Sequence, residues 1–368
     1  MKRESYSLQV ISPCFSGGAD PKKQAEIRAP AIRGQLRWWF RVLGGFTSLK
    51  GVEVRTQEAR IFGATAGDSG AASPLIVRTR QRVVSTEVKD ADKLGASVNS
   101  PVGYLLFPLR SNPNRGVDAG RGVFTMEKLP TFDLEFVWRG SPDLWEDIRA
   151  LACVFGHIGS LGFRSRRAMG ALAFRARVPD LKTALMRFNN PQGVEVRKIN
   201  TPCGSAVECI TTLAKWLRSW RQHGRAPQLA INEPGFGYAR RDHNEGLAVL
   251  TRQPTANDPP GHPAKGHSGE TFRPALGLPI IQFFSSQPTG QNKVNWEFGT
   301  GKAKGRFASP VVLRPHRDTQ GQWHALVIFV DARQWPDGTP VFVNGEKREV
   351  SLELYEAMKK DPALNLFP

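Results

Sequence analysis

Three acid-free clusters of arginine and lysine, far apart in the chain, have the residue types and spacing that grip phosphate. In Ala29-Pro-Ala-Ile-Arg-Gly-Gln-Leu-Arg-Trp-Trp-Phe-Arg-Val-Leu-Gly-Gly45, Arg33, Arg37 and Arg41 recur at i, i+4. On a helix they share one stripe, where like charges repel, so such a stripe calls for an anionic partner from outside; a solvated face is the plainer reading. Trp38 lies off the apolar stripe beside them and could stack on a base or pack on another subunit. Gly156-His-Ile-Gly-Ser-Leu-Gly-Phe-Arg-Ser-Arg-Arg-Ala-Met-Gly170 joins four glycines to Arg164, Arg166 and Arg167. Backbone N–H groups and guanidinium forks in such a loop can cradle phosphate, unless it is only a long turn with solvated arginines. Residues 301–317 add Lys302, Lys304 and Arg306, then Arg314 and Arg317, again without an acid. The alternative there is an ordinary basic hairpin.

Groups for proton chemistry are sparse. His157 at the mouth of the glycine-rich loop is the one histidine placed to shuttle a proton to and from a 2′-OH, as metal-free RNA cleavage requires. Its plainer role is to satisfy the end of a helix. Asp20, in Gly-Gly-Ala-Asp-Pro, reads as a turn-former. Cys14, Cys153, Cys203 and Cys209 show no metal-binding or disulfide-framework spacing, and His262, His267, His316 and His324 are scattered. No phosphate-binding loop of the nucleotide-hydrolase type and no dinucleotide fingerprint occurs. The expectation is no cofactor, no metal and no catalytic residue.

The elements that must position these residues follow from periodicity. Tyr6, Leu8 and Val10 alternate with polar residues, which predicts a strand. Pro30 suits a first helical turn and Gly44-Gly45 a helix end, with Ile32, Leu36, Trp39, Phe40 and Leu43 on the apolar face. Strands are expected over 73–84, 102–109 and 131–138, a helix from Ser141 to about Phe155, and a strand over 171–178. That order is the ferredoxin-like one used by RNA-recognition motifs. A second unit begins near Gly193, with a strand over 194–199 and a helix over 205–222 whose Trp216 and Trp220 read as core. The Pro/Gly-rich stretch 251–270 reads as a mobile loop or insertion. Strands over 278–284, 311–313 and 323–330 and a helix over 352–359 complete the chain. The fold class expected is α+β: two tandem ferredoxin-like (RRM-like) domains, 1–190 and 191–368, with glycine-rich loops and a long insertion.

The 368 residues carry 51 Lys and Arg against 33 Asp and Glu, a formal charge of +18. Such a balance speaks of an anionic partner; nucleic acid is the usual one and an anionic membrane surface the other option. No apolar run is long enough to span a membrane and the first residues lack a signal-peptide core, so a cytoplasmic protein without a membrane partner is expected.

Ile11-Ser-Pro-Cys-Phe-Ser-Gly-Gly-Ala-Asp-Pro21, Glu26-Ile-Arg-Ala-Pro-Ala-Ile-Arg-Gly-Gln-Leu-Arg-Trp-Trp-Phe-Arg41 and the glycine-rich stretch together resemble the RAMP proteins of CRISPR systems. Residues 59–64, 275–280 and 306–315 resemble later motifs of the Cmr-module RAMP subunit that caps the crRNA 3′-end side of type III-B effector complexes. The resemblance implies a non-catalytic RNA-binding subunit that contacts crRNA, target RNA or both and assembles beside other RAMP subunits. Target cleavage in such complexes belongs to other subunits, through an aspartate in a loop near the N-terminus, the region where Asp20 lies here. A RAMP-type endoribonuclease using His157 and a protein-only scaffold are the alternatives.

Overall fold

A computed structural model describes residues 1–64, 70–97, 99–112, 116–221, 231–251, 269–284, 286–288, 290–299 and 305–367. They form a mixed α+β structure that divides into two compact units. The first comprises residues 1–214, 312–332 and 365–368; the second comprises 215–311 and 333–364. The boundary expected after residue 190 falls inside the first unit.

The first unit opens with β1 (Lys2–Val10), a short β2 (Ala25–Ile27), α1 (Ala29–Val42) and α2 (Val54–Phe62). After β3 (Leu75–Thr79), the pieces β4 (Val83–Ser85), β5 (Val88–Lys89), α3 (Pro101–Leu105) and β6 (Arg121–Gly122) decorate the chain before β7 (Thr131–Trp138). Then come α4 (Trp145–Ile158), β8 (Leu172–Phe174) and α5 (Leu181–Leu185). The four long-range strands form an antiparallel sheet in the order β3-β7-β1-β8. Tyr6, Leu8 and Val10 face the core and pair with Leu134, Phe132 and the β8 strand, as a period of two demands. The opposite face carries Ser5, Ser7 and Gln9.

The helix α1 packs on that core because Ile32, Leu36 and Phe40 are completely shielded from solvent. Each such burial stabilises by about 1.5–3 kcal/mol. The helix stops at Val42, and Gly44 and Gly45 follow with φ of 73° and 75°, as their sequence position foretold.

A second sheet has the order β13-β14-β9-β17, from β9 (Glu195–Ile199), β13 (Val311–Arg317), β14 (Trp323–Phe329) and β17 (Leu364–Leu366). Between β9 and β13 the chain contains α6 (Ala206–Arg221); between β14 and β17 it contains the closing helix Glu353–Lys359. Val196, Val312, Leu326 and Ile328 join the same core as the first sheet.

The second unit holds β10 (Glu270–Thr271), β11 (Ile280–Phe283), β12 (Lys293–Phe298), β15 (Val341–Val343) and β16 (Glu346–Val350), ordered β10-β16-β15-β12-β11. The helix Phe236–Thr251 belongs with it, anchored by buried acids. Asp242 accepts from the backbone N–H of Phe272 and Arg273, both at 2.9 Å, and pairs with the Arg273 guanidinium at 2.8 Å. Glu245 pairs with Arg348 at 3.0 Å. Trp216 and Trp220 are buried, and each donates its indole N–H to Asp361, at 2.8 and 2.7 Å.

Several expectations need correction. The run 102–109 is not a strand: Pro101–Leu105 is helical, with the Ser100 hydroxyl accepting from Gly103 N at 3.0 Å, and Phe107–Leu109 forms a 3-10 turn. Residues 73–84 split into β3 and β4. Thr251 ends a helix and Glu270 starts a strand, while the remainder of the expected mobile loop, 252–268, lies outside the described residues. The helices α2 and Phe236–Thr251 went unforeseen.

Candidate nucleic-acid interface

The arginine stripe of α1 meets a partner inside the protein. Arg37 Nε lies 2.6 Å from Glu58 Oε1 and Arg41 Nη1 lies 3.1 Å from the same oxygen, with the Glu58 side chain only 7% exposed. Arg33 donates to the carbonyl of Phe62. The Arg37 guanidinium also sits 5.9 Å from the Phe62 ring centroid. The helix α2 therefore supplies one carboxylate for two guanidiniums, and the sequence-based demand for an outside anion is met in part from within. Both arginine side chains stay about two-fifths exposed, at 40% and 44%.

Trp38 lies off the fully buried stripe and packs against the core from its edge. It is half-buried, edge-on to Trp39 at 4.7 Å, and the Arg166 guanidinium lies 5.2 Å from its ring centroid. This contact brings Trp38 of α1 and Arg166 of the glycine-rich loop together. Alongside, Arg121 lies 4.7 Å from the ring of the exposed Phe163. Arg164 Nε donates to Leu105 O at 2.7 Å. Arg167 is buried, with Nη1 donating to Arg166 O at 3.1 Å.

The glycines of the loop serve the protein's own packing rather than a ligand's approach. A Cβ on Gly170 would sit 1.9 Å from Leu161 O, and one on Gly162 would sit 2.6 Å from the Phe15 backbone. At Gly156 it would strike the Phe174 ring at 2.1 Å and at Gly159 the Phe155 carbonyl at 2.4 Å. Nor are the loop's amides available as a continuous anion cradle. Leu161, Phe163, Arg167, Ala168 and Gly170 donate to Gly170, Phe15, Arg164, Leu313 and Pro13 carbonyls at 2.7–3.0 Å.

The third cluster is divided. Lys302 and Lys304 lie outside the described residues, and Arg306 is exposed in the second unit. Arg314 belongs to the first unit and is fully buried. It donates to the carbonyls of Gly159 and Gly156, each at 3.0 Å, and of Leu172. Its charge is a core device, so the cluster is not one continuous basic surface.

The groups considered for acid–base work are otherwise engaged. Asp20 accepts from Lys22 N at 3.0 Å and pairs with Lys23 at 3.3 Å, and the Lys22 bond foremost holds its carboxyl below the usual range. His157 Nε2 lies 2.9 Å from Pro179 O, not from its own helix's carbonyls, and burial depresses its pKa. Among the described residues no three His, Cys, Asp or Glu side chains are grouped to hold a metal, and no helix is long and apolar enough to cross a membrane. The four cysteines form no disulfide.

Comparison with known proteins finds relatives for part of the chain. Residues 7–173 match the RAMP superfamily. The CRISPR system Cmr subunit Cmr1-2 of Pyrococcus furiosus is 26% identical over 193 residues, 45% of this chain and 92% of that protein. Cmr1-1 of the same organism is 25% identical over 173 residues, 46% of this chain and 46% of that protein. Two solved structures align over most of their length. One is the apo crystal structure of Cmr1 from Pyrococcus furiosus, at 14% identity and a TM-score of 0.48, covering 94% of this chain and 99% of that one. The other is a cryo-EM structure of the Type III-B Cmr-beta bound to cognate target RNA, at 12% identity and 0.47, covering 97% and 98%.

Proposed function

We propose that this chain, a RAMP-superfamily protein through residues 7–173, is a non-catalytic RNA-binding subunit of a type III-B CRISPR effector complex. On this reading it caps the crRNA 3′-end side, contacts crRNA, target RNA or both, and works in the cytoplasm beside other RAMP subunits. The observation that carries the reading is the Arg166 guanidinium over the Trp38 ring, which sets a cation of the glycine-rich loop against an aromatic side chain of α1. Guanidiniums fix phosphates, and an indole face accepts a base without regard to sequence. The names of the Cmr1 relatives supply the complex.

The two halves, 1–190 and 191–368, are read as tandem ferredoxin-like modules. Support comes from a repeated order. In β1-α1-β3-β7-α4-β8 and again in β9-α6-β13-β14-closing helix-β17, the sheet runs second, third, first, fourth. The five-stranded sheet is then an insertion in the second module. Catalysis has no support: Asp20 holds a turn and His157 is tied to a carbonyl.

The test is equilibrium binding of a labelled single-stranded RNA to the purified chain. Trp38→Ala with Arg166→Glu should weaken binding about tenfold or more and lower the salt slope by about 0.7 for each phosphate no longer held. Binding and slope equal to wild type would refute the assignment of this surface.

A further inference from the structure

The face of the first sheet that carries Gln9 ends in a cavity of about 600 Å³, whose lining includes neither Trp38 nor Arg166. Its lining includes Gln9 of β1, Arg175 and Arg177 just beyond β8, and Arg317 and Asp318 where β13 turns into β14. Gln9 pairs with Ala173 and Arg175 N donates to Ser7 O at 3.0 Å, so the ladder continues past β8. Arg175 thus sits opposite Ser7 on the face that carries Gln9, and Arg177 reaches the same cavity beyond the bend at 175–176. All three arginines are exposed, and none forms an ion pair among the described residues. Arg317 lies 5.8 Å from the ring centroid of Trp323, which packs against Ile11, Ala171 and Ala173.

The carboxylate in the lining offsets one positive charge of the three. Asp318 Oδ1 accepts from the backbone N–H of Gln320 and Gln322 at 2.9 and 2.8 Å, and Oδ2 pairs with His324 at 3.1 Å. The carboxylate stays ionised, held by these bonds, and one negative charge faces three guanidiniums. The cavity therefore combines an excess of guanidiniums, an amide side chain from Gln9 and a volume far beyond that of a bare phosphate. Pockets of this size hold ligands of nucleotide dimensions.

We propose that this cavity binds one phosphate-bearing nucleotide unit, with Arg175, Arg177 and Arg317 on the phosphate. The nucleotide comes either from an RNA chain or from the free pool, and only the first source rests on the RNA-binding reading above.

The full chain is titrated at low salt with adenosine 5′-monophosphate and, separately, with a short labelled single-stranded RNA. The comparison is Arg175→Gln/Arg177→Gln/Arg317→Gln, whose exposed positions leave folding intact, checked by an unchanged melting temperature. Loss of mononucleotide binding by tenfold or more in this variant supports the site. A parallel fall in RNA affinity names RNA as the source, and RNA affinity left at wild-type level names the free nucleotide. A fall in RNA affinity without any mononucleotide binding also supports the site, with RNA as the sole source. Both probes binding the triple variant as they bind wild type overturns the proposal, as does inorganic phosphate displacing the mononucleotide at equal concentration. Wild type that binds the mononucleotide but no RNA keeps this site while refuting the function proposed above.

Discussion

Arg314 donates through Nη1 to His316 Nδ1 at 3.1 Å, so a fully buried cation rests on an imidazole that must be neutral to accept it. Burial first, and the Arg314 charge second, push the His316 pKa well below its ordinary value. His157, whose ring lies 6.0 Å from that of His316, is lowered by the same two causes.

Stability should therefore fall on acidification. Groups with lowered native pKa values contribute fully above the unfolded histidine value of about 6.5, and that contribution is lost as pH drops below it, because the unfolded chain takes up protons that the native state refuses. Each histidine adds a slope of up to about 1.4 kcal/mol per pH unit. Denaturant unfolding between neutral pH and moderately acid pH should show this decline, and His316→Asn should reduce it. A flat profile would contradict the buried neutral state.

Arg314→Met should destabilise the chain by about 3–5 kcal/mol, because three carbonyls lose their donor in a site closed to water. Urea unfolding at neutral pH measures it. A loss under about 1 kcal/mol would mean that other donors replace the guanidinium.

Glu58→Gln should raise RNA affinity, since it removes the charge that draws Arg37 and Arg41 inward while keeping the shape of the side chain. The salt slope should steepen by about 0.7 for each additional phosphate held. Weaker binding with unchanged stability would show that Glu58 holds the arginines in their working positions.

Gly170→Ala should cost more than about 2 kcal/mol, because φ is 65° and the new methyl would strike Leu161 O. Arg164→Gly, at φ 64°, should relieve backbone strain at the same time as it removes the bond to Leu105 O. Thermal melts of both variants separate the two effects.

The sequence made α1, β1 and β7 legible because each shows one clear period bounded by proline or glycine signals. The apolar run Val102–Leu109 could not be typed by period, and the Ser100-Pro101 start signal decided it for a helix. The helix Phe236–Thr251 escaped because much of its anchoring is by Asp242 and Glu245, buried acids that an apolar pattern cannot register. For the interface, the arginines and Trp38 were readable, but Glu58 was not. Its pairing with residues 17 and 21 positions away exists only after α2 folds back on α1. The same limit made the loop glycines look like a ligand cradle, when their close neighbours are Leu161, Phe15 and Phe174.

The second sheet imposes an order in time. Val196 of β9 pairs with Ile328 of β14, and Phe367 N donates to Val196 O at 2.9 Å, so β9 is flanked by strands from the far end of the chain. The first sheet is complete once residue 174 is made, whereas β9 must wait, an open edge on both sides, while the whole inserted sheet is synthesised. Loop closure over such distances is slow, and unpaired edges invite wrong partners. The interval between the two sheets is thus the stage of synthesis at which this protein is most exposed to aggregation.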